Sequence, residues 1–411
     1  MPTYYISALT GDNANNGTDP DFPKRTLGGV NGALISASSD RDFIEFLDEE
    51  TYDESVHGGS LQYQAGQITI RHTASALGRP VIDFSGLGST DAFDARGRSG
   101  LRFEGLEIKG SQNTSQQMLR FNTFDGAGLE IQDCFIYGFA ELHTGNLNGA
   151  SATPVKLIQS SFMFVDGAND AVKVNTDAYI EVENCFFSRS FGSTSVSILK
   201  TFRGTNATAS FSTFIYNGNV NNGAKCLEAF GKVRNCVVSG AAGTNLVGID
   251  ALDHDYNLVN VGGTAFQNGT GGTDSPSAND IISRFDFIDD TSIGNTFSVV
   301  ENYALAEGSR GIDEGTSFNS ITVDIIGTTR PQGSAFDMGA FERLSPYWQD
   351  ADNGETYSTK FGGSFEIHST ANKLATRTFP NLSSNRQAPY YVSIAGPATI
   401  RQRSGSYKAE T

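Results

Sequence analysis

Leu129-Glu-Ile-Gln-Asp-Cys134-Phe-Ile136 is the stretch on which the fold turns, because four later segments repeat its pattern. They are Leu157-Ile-Gln-Ser-Ser161-Phe-Met163, Glu181-Val-Glu-Asn-Cys185-Phe-Phe187, Ala209-Ser-Phe-Ser-Thr213-Phe-Ile215 and Lys232-Val-Arg-Asn-Cys236-Val-Val238. In each, a small residue precedes two apolar ones. The anchors Cys134, Ser161, Cys185, Thr213 and Cys236 stand 27, 24, 28 and 23 residues apart. A weaker sixth copy, Asp255-Tyr-Asn257-Leu-Val259, follows 21 residues after Cys236.

Each aligned column has one physical character. After the anchor come Phe135, Phe162, Phe186, Phe214 and Val237, which the alignment reads as an inward apolar stack. Before it come Asp133, Ser160, Asn184, Ser212 and Asn235, short polar groups that can bond the backbone of a bend. Three residues ahead of the anchor stand Ile131, Ile158, Val182, Ser210 and Val233, with Gln132, Gln159, Glu183 and Arg234 beside them. Such alternation is that of strands.

A period in the low to middle twenties, with no amphipathic helix between the strands, is too short for βαβ units and too irregular for leucine-rich repeats. The reading is therefore an all-β chain wound as a single-stranded right-handed parallel β-helix. Gln67-Ile-Thr-Ile-Arg71, Val81-Ile-Asp-Phe84 and Leu101-Arg-Phe-Glu-Gly-Leu-Glu-Ile108 read as earlier coils. Residues 1–42 are expected to cap the helix, 43–344 to form it, and 345–411 to make a small C-terminal β module or arm. Roughly twelve coils at about 4.8 Å each would give a rod about 58 Å long. Cys134, Cys185 and Cys236 then lie two coils, about 9.6 Å, apart, beyond the reach of a disulfide. With Cys226 they show no metal-ligand spacing, and no cofactor is expected.

Composition agrees with many brief strands between turns: 46 Gly against 11 Pro, and 29 Phe among 411 residues. The formal charge of −17 argues against nucleic acid and anionic membrane as partners. No run of 18 apolar residues occurs, so no spanning helix is expected. Met1-Pro2-Thr3-Tyr4-Tyr5-Ile6-Ser7 lacks a basic region followed by an apolar stretch, so the expectation is cytoplasmic synthesis without a signal peptide.

At the ends, the sequence resembles a known group. Tyr4-Tyr-Ile-Ser7, then Gly11-Asp-Asn-Ala-Asn-Asn-Gly17 and Pro23-Lys-Arg-Thr-Leu27, is similar to the opening cap of phage and bacterial right-handed β-helix proteins of the pectate-lyase-like superfamily. Gly311-Ile-Asp-Glu-Gly315 and Arg330-Pro-Gln-Gly-Ser-Ala-Phe-Asp-Met-Gly-Ala-Phe-Glu342 resemble its final coil. With the repeat, the resemblance covers about five-sixths of the chain. The superfamily holds lyases, glycoside hydrolases, epimerases, adhesins and phage tailspikes, so the resemblance implies fold rather than function. The pectate-lyase Trp-Ile-Asp-His element is absent, and the lone Trp348 lies beyond the helix. Asn175-Thr176-Asp177 matches the first polygalacturonase motif, but Asp289-Asp290 is far too distant for the second and the others are missing.

Glycan cleavage needs two carboxylates in a groove, one with a raised pKa. Asp166, Asp170 and Asp177 form one acidic cluster, and Asp250, Asp253 and Asp255 beside His254 form another; Asp177 and Asp253 are the catalytic candidates. Asp250, Asp253 and Asp255 also offer the oxygen ligands that Ca²⁺ prefers. Against both stands ordinary turn chemistry, since Asp beside Gly or Asn suits solenoid bends. Exposed Tyr137, Tyr216 and Tyr256, near one place in their coils, would make a stacking platform for glycan, while a buried tyrosine ladder fits the same spacing.

After Glu342 the period stops. Ser364-Phe-Glu-Ile-His368, Tyr390-Tyr-Val-Ser-Ile394 and Ala398-Thr-Ile-Arg-Gln402 read as strands of a separate module. The expected function is that of a phage virion protein, a capsid decoration or a tail fibre or spike appendage, homotrimeric like the tailspikes it resembles. Residues 345–411 or the rod's flank would join it to other virion proteins, and host polysaccharide is its candidate ligand. The rival is a polysaccharide lyase or glycoside hydrolase acting on acidic or capsular polysaccharide. An adhesin would require a secretion or anchoring signal.

Overall fold

The computed structural model describes residues 2–29, 31–37, 42–62, 67–72, 78–94, 100–120, 128–143, 154–165, 167, 169–174, 180–189, 197–216, 224–240, 246–268, 272–287, 303–306, 308–319 and 321–343, then the strands 347–349, 356–358, 364–369, 373–378 and 398–404. Short parallel strands stack into three faces around one apolar core. The first face runs through Thr3–Ile6, Asp42–Phe46, Ile68–Arg71, Leu101–Glu104, Glu130–Gln132, Val155–Ile158 and Ile180–Glu183. The second is a 10-stranded sheet that includes Phe135–Phe139, Ser161–Phe164, Phe186–Arg189, Thr213–Tyr216 and Val237–Gly240. A third holds Phe93–Asp94, Gln117–Arg120, Glu141–His143 and Val172–Val174. Three long strands, Leu199–Ser210, Lys225–Arg234 and Val247–Asp255, run on from the third face into the first and fuse the two into one sheet. The chain is a parallel β-helix.

Register decides which side chains enter the core. On the first face Ile44, Ile70, Phe103, Ile131, Leu157, Val182, Ala209 and Val233 stand directly over one another. On the second, Ile136, Phe162, Phe187, Phe214, Val238 and Val259 do the same, all fully buried. The rings of Phe162, Phe187 and Phe214 stack nearly parallel, 4.8 and 5.0 Å apart. Between the two faces the chain turns through a left-handed residue in successive coils: Gly105, Asp133, Gln159, Asn184, Phe211, Asn235 and Tyr256, with φ between 46° and 70°. A side chain costs roughly 1–2 kcal/mol in that conformation. Inter-coil bonding offsets it, because the N–H groups of Asp133, Gln159, Asn184 and Phe211 each donate to a carbonyl of the following coil.

This corrects the aligned register by one residue in two copies. Structurally equivalent residues are Cys134, Ser160, Cys185, Ser212, Cys236 and Asn257, not Cys134, Ser161, Cys185, Thr213 and Cys236. The inward column contains Ile136 and Phe187, whereas Phe135 and Phe186 point outward. Both positions after the corner are apolar, so hydrophobicity alone could not choose between them. The polar members of the corner column have a further task. Ser160 and Ser212 hydroxyls accept from the N–H groups of Cys134 and Cys185 at 3.0 and 3.1 Å, and Asn257 Oδ1 accepts from Cys236 N–H at 2.9 Å.

The outward apolar positions are explained by the closing segment, which corrects a second expectation. Among the described residues the last strand of the second face is Ile281–Ile282, and that face holds ten strands rather than the twelve expected. Residues 303–343 form no final coil. They return along the outside of the second face as a strap. Tyr303, Leu305, Ile325, Met338, Ala340 and Phe341 cover Phe186, Ile215, Val237 and Leu258 in a second apolar cluster. Polar groups fix its position: Asn235 Nδ2 donates to Thr316 O, Asn184 Nδ2 to Val323 O, and Ala340 N to Thr213 Oγ1.

At the opposite end, residues 5–37 cover the first coil. Glu54, buried, accepts from the N–H groups of Leu27 and Gly28 at 2.7 and 2.8 Å, and Lys24 Nζ donates to the carbonyls of Asn15 and Asn31. The helix start read at Pro23–Leu27 begins later, at Ala33–Ser36. No helix among the described residues is long and apolar enough to cross a membrane. Past residue 343 the strands become antiparallel: Tyr347–Gln349 with Thr356–Ser358, and Ser364–Ser369 between Lys373–Thr378 and Ala398–Ser404. The Lys373–Thr378 strand was not foreseen, and 390–394 falls outside the described residues.

All four cysteines are free and fully buried. Burial pushes the Cys134 and Cys236 thiols up to about 12, and raises those of Cys185 and Cys226 as well. A thiol reagent should therefore find none of them in the native protein and four after denaturation; reaction of the native chain would contradict the register.

Candidate functional site

The first face presents a charge ladder to solvent. Arg102, Glu130, Lys156, Glu181, Thr208, Lys232 and Asp253 occupy successive rungs of one outward column. Alternating signs place opposite charges on neighbouring coils, with Arg102–Glu130 at 3.5 Å, Lys156–Glu181 at 3.6 Å and Lys232–Asp253 at 3.8 Å. Exposed pairs of this kind contribute little individually, about 0–1 kcal/mol, yet prevent like charges from meeting across coils.

This ladder settles the second acidic cluster. Asp253 pairs with Arg234 at 2.6 Å on the first face. Asp250, earlier on the same long strand, belongs to the third face, where it is buried against Lys225 Nζ at 2.5 Å. Asp255 accepts from Ser277 Oγ and Asn279 Nδ2. The strand carries Asp250 to a different face from Asp253 and Asp255, so the Ca²⁺ set read at Asp250, Asp253 and Asp255 does not converge. No metal-holding group of three His, Cys, Asp or Glu occurs among the described residues.

His254 has its own role. It is the last member of the first face's inward column, directly over Val233, and its ring stacks on Phe266 at 4.4 Å. Nδ1 lies 2.6 Å from Asp280 and Nε2 3.6 Å from Asp274. Asp280 also accepts from Asn257 N and Ser277 N, so the loop folds over the end of the core. Burial disfavours the imidazolium, but the Asp280 bond and the Asp280 and Asp274 charges outweigh it and raise the His254 pKa. With the folded pKa above the unfolded one, this stabilisation is full below the ordinary histidine range and is lost as pH rises through the raised value. His254→Gln should accordingly destabilise the protein more in mild acid than in alkali; equal loss at both, in denaturant midpoints, would contradict the assignment.

The proposed tyrosine platform also separates. Tyr137 lies on the outer second face, half-buried, its hydroxyl donating to Glu107 Oε1 at 2.6 Å. Tyr216 is inside, 1% exposed, and Tyr256 forms a left-handed corner against the strap cluster. Tyr137 alone of the three keeps an outward place on a face.

The arrangement with most chemical potential lies on the third face. Glu141 opens the strand Glu141–His143, pairs in register with Gln117, and is 3% exposed. Asn169 Nδ2 donates to its Oε1 at 2.8 Å, while its buried Oε2 has no hydrogen-bond partner among the described residues. Burial raises the Glu141 pKa, and the nearby Asp170 and Asp91 carboxylates add to the shift against the Asn169 bond and the Arg189 charge. Asp170 accepts from Ser197 N at 2.7 Å, and Asp91 from Gln117 N at 3.3 Å. Arg189, reaching across from the second face, donates to the carbonyls of Gly167, Asn169 and Ser197 and so fixes the loop that carries Asp170. A carboxyl whose pKa is raised by burial and by neighbouring carboxylates has the electrostatics that general acid–base chemistry uses.

Of the first acidic cluster, the structure thus places Asp170 in a carboxylate group, while Asp166 and Asp177 lie outside the described residues, as do Asn175, Thr176, Asp289 and Asp290. Glu141 was missed by sequence reasoning. Asp170 follows it by 29 residues, outside the spacings of the aligned copies, so the repeat did not point to it.

No protein-family model matches the chain, and no curated protein does. Among solved structures, that of pectate lyase Pel9A is similar, with a TM-score of 0.46 and 16% identity over 84% of this chain and 96% of that one. The parallel β-helix stands on the strand pairing of this chain itself.

Proposed function

We propose that the chain is a structural component of a bacteriophage particle, a homotrimeric β-helical rod joined to other virion proteins through residues 345–411 or its flank, and exposed to host-surface glycan. One observation carries this reading: the rod finishes its outer surfaces with its own residues. The first face is a ladder of opposite charges, and the strap covers the apolar part of the second. The end motifs that resemble those of phage β-helix proteins point to the particle as its setting. Antibody against the chain should decorate intact particles in electron micrographs, and the purified chain should leave capsular and cell-wall polysaccharide uncut. Bare particles would remove the virion reading.

A second reading is favoured by Glu141. Its raised pKa, its Oε2 without a partner among the described residues, and the neighbouring Asp170 and Asp91 suit acid–base cleavage of a glycan. New reducing ends or unsaturated uronates, lost in Glu141→Gln with the fold intact, would put an enzyme in place of the structural rod.

A further inference from the structure

We propose that residues 303–343 are a pH-sensitive strap, fastened in mild acid and loosening as pH rises, whose release bares the apolar strip Phe186, Ile215, Val237 and Leu258 on the second face. The inference is independent of the virion reading and rests on how the strap is clasped.

At its centre Arg330 is buried over the ring of Phe211, 4.7 Å from the centroid. Its guanidinium donates to the carbonyls of Asp337 and Gly339 and to Asn184 Oδ1 on the helix, and lies 3.6 Å from Glu342. Three carboxylates surround this one cation. Asp324 accepts from the N–H groups of Ile326, Thr328 and Glu342; Asp337 from those of Asp313 and Arg343; Glu342 from those of Gln332 and Asp337. Asp324, Asp337 and Glu342 are each at most 4% exposed. Fully ionised, the clasp would bury two uncompensated negative charges, which a low-dielectric site disfavours.

Other ionisable groups do not change the sign. Within the strap, Asp313 adds repulsion at Asp337, and Arg343 meets Asp337 through its backbone. From the helix, Asn184, Phe211, Thr213 and Asn235 are neutral. Glu183 and Lys232 touch the strap only at its rim, through Asn319 and Phe318. Burial, then the Asp337 charge, raises Glu342 to about 7, and burial likewise raises Asp324 and Asp337. A carboxyl whose folded pKa exceeds its unfolded value holds extra protons in the docked state, so docking weakens as pH climbs from the ordinary carboxylate range to about 7.

Hydrogen exchange on the full chain, corrected for the intrinsic pH dependence of exchange, tests this. The amides that dock the strap on the helix, Gly339 N to Asn235 O and Ala340 N to Thr213 Oγ1, should lose protection on the order of tenfold between about pH 5 and about pH 8, while the inward columns keep theirs. An apolar-surface dye should bind over the same interval. Glu342→Gln should flatten the strap's pH dependence. Should that variant fail to dock, the unaltered chain still decides: strap protection constant with pH, or lost together with that of the core strands, would overturn the proposal.

Discussion

Phe187→Ala is expected to destabilise the β-helix by about 3–5 kcal/mol, read as a lowered denaturant midpoint. Phe187 is fully buried at the middle of the ring column, flanked by Phe162 and Phe214 in adjacent coils. Truncation would leave a cavity that its neighbours cannot close, because each of them is fixed by the ladder bonds of its own strand. Phe186→Ala should act elsewhere. Its ring meets Tyr303 at 4.5 Å and Phe341 at 6.0 Å, both in the strap, so its loss should free the strap's amides ahead of the core's. If the two substitutions exchanged these effects, the register described here would be wrong.

Arg330→Met is the second large effect. The methionine keeps apolar volume near Phe211 but removes the guanidinium that lies among Asp324, Asp337 and Glu342. Breaking a buried ion pair from one side costs about 3–5 kcal/mol, since the remaining charges have no compensation. The strap should come away, binding of an apolar-surface dye should rise, and the defect should be greatest above about pH 7, where Glu342 ionises. A variant whose strap stayed protected at every pH would show that Arg330 is dispensable for docking.

How much of this was legible in the chain follows from where the side chains go. The period was readable because the inward column of a solenoid must be apolar in every coil, as Ile131, Leu157, Val182 and Val233 are. That Cys134, Cys185 and Cys236 do not pair with one another followed from the two-coil spacing. The exact register was not readable: the strap makes the outward position after the corner apolar too, so Cys185-Phe186-Phe187 offers two equally hydrophobic choices. The strap in turn reads as a final coil in sequence because its motifs resemble the closing segment of β-helix proteins, whereas its apolar residues pack on the outside.

The site residues fared worse for a related reason. A strand's polar residues read alike in sequence whichever face they reach, and the nine residues Val247–Asp255 cross from the third face to the first. Asp250 and Asp253 therefore part company, and His254 turns inward, although they adjoin in the chain. Glu141 gave no periodic signal because its partners, Asn169 and Asp170, come from the next coil's loop. Only the stacking of coils brings them together.

The central claim is that residues about 25 positions apart lie directly over one another in a specific register. Selective phenylalanine labelling and ring-to-ring nuclear Overhauser effects test it most directly. The account predicts contacts from Phe187 to both Phe162 and Phe214, and from Phe186 to Tyr303 instead. Contacts joining Phe186 to Phe162 and Phe214, with Phe187 apart from both, would contradict it.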